Sequence, residues 1–92
     1  MTMDKSASEI QKILVEWDPL GDQKSRIPDL NNYETEAEDI DNTIYIFGSD
    51  KKSVINIVIQ TINQAFNLNV SREDALDVGT KIWKVYHKYH KD

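Results

Sequence analysis

The sequence predicts an all-α fold, a compact four-helix bundle forming a single domain over residues 1–92. Three observations carry that prediction. Apolar residues recur at steps of three and four along most of the chain, which gathers them on one face of a helix. Cap and breaker residues separate these runs: Ser6, Pro19, Asn32, Gly48, Asp50, Asn67 and Ser71. One run, residues 49–67, is so apolar that other elements must cover it on several sides. The helices are expected at about 7–17, 33–47, 50–67 and 71–88, with a long loop at 18–32 and frayed ends at 1–5 and 89–92.

The first helix opens on Ser6-Ala7-Ser8-Glu9, which fits a capping box: a serine hydroxyl for the unpaired amides and a glutamate three residues on. Ile10, Ile13, Leu14 and Trp17 then form one buried stripe. Pro19 disfavours helical geometry at Asp18 and ends the helix there.

The loop that follows holds both prolines, Pro19 and Pro28, and the charges Asp22, Lys24, Arg26 and Asp29. It is longer than the usual connection of about 4–6 residues. One reading is a wrapping segment pinned to the core by Ile27 and Leu30; the other is a recognition loop.

Asn31 or Asn32 can cap the second helix. Tyr33, Ala37, Ile40, Ile44 and Phe47 make its seam, and Gly48 stands where a left-handed residue would end it. Its first half carries Glu34, Glu36, Glu38, Asp39 and Asp41. There they oppose the positive end of the helix dipole, but five acids in eight residues exceed what capping requires.

Ser49 or Asp50 caps the third helix, read as the central one. Val54, Ile55, Ile57, Val58, Ile59, Ile62, Ala65 and Phe66 crowd it, and Lys52, Asn56, Gln60, Asn63 and Asn67 form a narrow polar stripe. The rival is a β-hairpin with residues 43–47, since Val and Ile favour strands. The polar residues fall every three or four positions rather than every two, which favours the helix. Asn67 tolerates the left-handed geometry of a helix end.

Ser71 with Asp74 opens the fourth helix, whose inner face is Ala75, Gly79, Ile82, Trp83, Tyr86 and Tyr89. Gly79 costs up to about 1 kcal/mol there relative to alanine, and a close helix crossing would explain it. Lys81, Lys84, Lys88 and Lys91 suit the negative end of its dipole.

The net charge of −5 is unevenly placed. Residues 27–50 hold seven acids and no Lys or Arg; the remainder holds nine acids and all eleven bases. A roughly neutral body thus carries one acidic element, which repels phosphate backbones and attracts basic partners. Direct nucleic-acid binding is not expected: the only basic footprint lies among Trp83, Tyr86 and Tyr89, which fall at core spacing. With no cysteine there is no disulfide framework or thiolate chemistry. No apolar N-terminal run resembles a signal peptide, and the third helix is too interrupted to span a bilayer. A reducing, cytoplasmic setting is the expectation.

Nothing points to catalysis, a cofactor or a metal. Asp39-Ile40-Asp41-Asn42 imitates the start of a calcium loop, but Ile44 and Asp50 stand where glycine and a bidentate acid are required. His87 and His90 lack further ligands and read as exposed tail residues. No phosphate-binding or nucleophile-elbow motif occurs. The acids of the second helix have nothing apolar around them to raise a pKa.

A helix ending in Trp17-Asp18-Pro19-Leu20, a linker with Pro28, the run Tyr33-x-x-Glu36-Ala37-x-x-Ile40 and a C-terminal helix carrying Trp83 resemble a group of small uncharacterised proteins from Bacillus and its relatives. The resemblance spans roughly residues 10–86. The family pattern has acids just before the tyrosine; Asn31 and Asn32 stand here instead, so no loop function carries over. It implies a compact helical domain of unknown function. Small acidic helical proteins are also reminiscent of immunity proteins that neutralise a toxin.

The functional expectation is a non-catalytic, cytoplasmic protein-binding module with a basic protein partner. Its surface would comprise Asp18, Asp22, Asp29, Glu34, Glu38 and Asp41. The alternatives are a structural homodimer that buries leftover apolar surface, and an acidic mimic of nucleic acid.

Overall fold

The computed structural model describes residues 5–21 and 32–90. Within them the chain forms four helices and no strand: α1 (Lys5–Trp17), α2 (Glu34–Phe47), α3 (Lys51–Phe66) and α4 (Arg72–Tyr89). The hairpin alternative is excluded, because Val54, Ile57, Val58 and Ile62 all turn into one helical interior.

The helices pack in a ring. α1 lies against α2 and α4, and α3 lies against the same two. This corrects the expectation of a central helix: α3 is one of four staves around a shared core. Its apolar face is broad because the core and both neighbours take part of it. Val54, Ile55, Ile57, Val58 and Ile62 are buried, whereas Asn56, Gln60 and Ala65 are exposed. The other staves supply Ile10 and Leu14 from α1, Ala37, Ile40 and Ile44 from α2, and Ala75, Val78, Ile82 and Tyr86 from α4.

Local chemistry sets the helix ends. Asp50 accepts from the Ser53 amide at 3.1 Å, and the Ser71 hydroxyl accepts from the Asp74 amide at 3.1 Å, both as the sequence predicts. Asn67 takes left-handed geometry, φ 53° and ψ 44°. The Asn63 side chain clamps the α3–α4 turn, accepting from the Val70 amide at 2.8 Å and donating to the Val70 carbonyl at 3.3 Å.

Three expected caps differ. Ser6 lies inside α1, buried, with its hydroxyl spent on Asp41 rather than on a capping box. Gly48 has φ 147° and ψ 146°, an extended mirror conformation that glycine alone accepts easily, in place of the left-handed helical one. The residue that starts α2 is Tyr33, left-handed at φ 66° with no side-chain cap, and not an asparagine.

Left-handed backbone at a bulky residue costs about 1–2 kcal/mol. Tyr33 offsets that cost through what its side chain joins. It is 1% exposed. Its ring meets the Phe66 ring edge-on at 5.8 Å. Its hydroxyl donates to Asp18 Oδ1 at 2.8 Å and accepts from the Leu20 amide at 3.3 Å. One side chain thus ties the exit of α1 to the end of α3. Burial, then the hydrogen bond to Asp18, pushes its pKa up to about 12.

Gly79 sits where α4 crosses α3. A Cβ there would lie 2.6 Å from Ile55 Cγ1 and 3.1 Å from Ile55 Cα, so the close crossing read from the sequence is present.

Candidate functional site

The six acids singled out by the sequence do not form one surface. Glu34 and Glu38 are exposed on α2, and Asp39 beside them is exposed too. Among the described residues no Lys or Arg pairs with any of the three. Asp18 is half-buried and engaged with Tyr33. Asp22 and Asp29 lie outside the described residues. Asp41 must be withdrawn from the surface: it is 7% exposed and points inward.

Asp41 belongs instead to a polar latch joining three helices. The Ser6 hydroxyl of α1 donates to Asp41 Oδ1 at 2.6 Å. That hydroxyl has one proton, so it accepts from His90 Nε2, 2.9 Å away. His90 Nε2 is also 3.6 Å from Asp41 Oδ1, and its ring stacks on Tyr86 at 4.2 Å and 18°. His90 is therefore not the exposed tail residue the sequence implied, and Tyr89 is helical rather than frayed. The trio superficially resembles a catalytic set, but the serine proton is given to the carboxylate and the hydroxyl is buried. The arrangement fastens α1, α2 and the end of α4.

Glu36 is a second buried acid that sequence reasoning missed. It is 9% exposed and its Oε1 has no hydrogen-bond partner. Burial raises its pKa, against a lowering contribution from its own backbone amide; the nearby Asp39 raises it further. This corrects the expectation that no acid on α2 has a raised pKa.

The outward face of α2 holds an apolar tip. Phe47, assigned to the buried seam, is 77% exposed, with Tyr45 at 79% and Ile46 at 69%. Phe47 stands over a groove between α2 and α3 lined by Thr43, Ser53, Asn56, Ile57 and Gln60. The α3 wall of that groove sets Ile57 among Ser53, Asn56 and Gln60, and the phenyl ring over it stays largely open to water. A sequence signal existed: three consecutive large apolar residues cannot all face one core from a helix. The outward face of α2 thus runs from Glu34, Glu38 and Asp39 through Asn42 to Tyr45 and Ile46, while Phe47 is exposed on the flank toward α3.

His87 marks what lies beyond that tip. Its Nε2 donates to the Ser49 carbonyl at 2.7 Å, bringing the end of α4 beside the α2–α3 connection. Among the described residues no three His, Asp or Glu side chains converge as a metal site requires. Among them, too, no helix is long and apolar enough to cross a membrane. No family model, curated protein or solved structure matches this chain.

Proposed function

We propose that the protein is a non-catalytic protein-binding module that engages its partner through the outward face of α2. The observation that carries this is the exposure of Tyr45 and Ile46 on the same helical face as Glu34, Glu38 and Asp39, with Phe47 exposed on the flank toward α3. Large apolar side chains left open to water beside a polar rim commonly mark an interaction site. Aromatic anchors inside a charged rim are the usual make-up of a protein interface. The acids select a partner that is basic around an apolar centre. A cytoplasmic setting agrees with a chain that has no cysteine.

The test is a pull-down from cell extract at low and high salt, using wild type, Phe47→Ala with Tyr45→Ala, and Glu34→Lys with Glu38→Lys. Both variants should lose a salt-sensitive partner while their far-UV circular dichroism is unchanged. Capture that survives both variants would refute the surface.

A further inference from the structure

We infer that Glu36 makes the start of α2 a proton-operated joint: its carboxyl enters the α2–α3 seam as a neutral acid, and its ionisation opens the first turns of α2 from the end of α3.

The seam gives a carboxylate nothing to pair with. Glu36 is 9% exposed, and its Oε1 has no hydrogen-bond partner among the described residues. It stands seven residues before Thr43, close to two whole turns, and so on the same stripe of α2. Thr43 lines the groove against α3, which places Glu36 at that interface. Across it, α3 carries no charged residue from Ser53 to Phe66; Lys51 and Lys52 belong to its far end. α1 meets the other edge of α2, where Ser6 bonds Asp41, five residues and so about 140° round the helix from Glu36. Of the two bases in α1, Lys5 adjoins Ser6 in the chain and Lys12 pairs with Glu9 at 3.9 Å. On α2 itself the neighbours are Asp39, which repels a charge on Glu36, and Tyr33, whose hydroxyl is bonded to the acid Asp18. Burial is the main cause that raises the Glu36 pKa; its own backbone amide lowers it, and Asp39 raises it again. A buried charge left without a partner is costly, and a neutral carboxyl far less so.

The part that can give way is the beginning of α2. It starts at Tyr33, left-handed at φ 66° and without a side-chain cap. Its contact with α3 is the edge-on packing of the Tyr33 and Phe66 rings at 5.8 Å, three residues before Glu36. Closing the seam must hold that strained, uncapped start in place as well as bury the carboxyl. Further along, Ile40 and Ile44 are at most 1% exposed and keep the rest of α2 in the core. Closing takes up a proton. The open population therefore climbs by up to about tenfold per unit of pH between the ordinary carboxyl range and the raised Glu36 value, and levels off above it. Acid closes the joint and neutral pH loosens it.

A carboxyl-detected NMR titration of the full chain, with amide exchange measured in parallel, tests the inference. The Glu36 carboxyl should titrate at higher pH than those of Glu34 and Glu38, which are exposed on the same helix. The Phe66 ring resonances should move with the Glu36 midpoint. The amides of Ala37, which donates to the Tyr33 carbonyl at 2.9 Å, and of Ile40 should lose protection as pH rises through that range, after correction for intrinsic exchange. Those of Val58 and Ile82 should keep theirs. Glu36→Gln should abolish both the Phe66 shift and the pH dependence of protection. Glu36 titrating together with Glu34 and Glu38 overturns the inference. So does a Phe66 ring that stays still through the Glu36 midpoint, a loss of protection shared equally by all four helices, or a pH dependence that persists in Glu36→Gln.

Discussion

Replacing Gly79 with alanine puts the α3–α4 crossing to the test. The added methyl would sit 2.6 Å from Ile55 Cγ1, 3.1 Å from Ile55 Cα and 3.2 Å from Ile55 Cβ. Carbon atoms pack best at about 3.5–4.0 Å. A rotamer change can move Cγ1 aside, but Cα is backbone. The helices must therefore part by several tenths of an ångström, and Ile55 is 2% exposed, with no slack around it. Overpacking of this kind costs about 1–3 kcal/mol. Against it, alanine gains up to about 1 kcal/mol over glycine in a helix interior. The net expectation is a loss of about 1 kcal/mol, or roughly 4–8 °C in Tm for a domain of this size. Urea and thermal denaturation followed by circular dichroism measure it. In an Ile55→Ala background the cost should shrink, since the nearest atom is gone; the double-mutant cycle gives the coupling. If Gly79→Ala raises the Tm, helix propensity dominates and the crossing is looser than described.

Further predictions concern the buried polar groups. Tyr33→Phe leaves the Leu20 amide without its acceptor and Asp18 without the hydroxyl, and should cost about 1–3 kcal/mol by urea denaturation. A spectrophotometric alkaline titration should show one of the four tyrosines ionising last, near pH 12. Because folding favours the neutral phenol, the stability it contributes is intact below about pH 10 and is lost as pH rises toward 12. His90→Ala removes a donor from the latch and leaves Asp41 to Ser6 alone; a loss of about 1–3 kcal/mol is expected, and no loss would show that the latch carries no stability. Glu36→Gln should stabilise the fold at neutral pH. Folding raises the Glu36 pKa, so wild type is penalised above that value and relieved as pH falls through it. The Tm advantage of the variant should narrow on acidification and close below the ordinary carboxyl range; an advantage independent of pH would point to packing instead.

Periodicity and caps alone determined four helices, their approximate limits and the class of fold. Asp50, Ser71 and Asn67 act through groups within four residues of themselves, so the sequence contains the whole interaction. Gly79 was legible for another reason: only a backbone brought unusually close justifies glycine inside a helix. What the sequence missed depends on residues far along the chain. Asp41 lies one residue from the Ile40 position of the seam, and whether such an edge residue meets water depends on Ser6 and His90, 35 and 49 positions away. Tyr33 holds a costly backbone conformation because Asp18, Leu20 and Phe66 converge on it. Phe47 follows the seam by spacing, yet it is exposed at the rim of the α2–α3 groove, beside Ser53, Asn56, Ile57 and Gln60. A helical repeat fixes which side chains share a face. Only the packing of the other three helices decides where along that face the core ends, and here it ends one turn early, leaving the apolar tip on which the proposed interface rests.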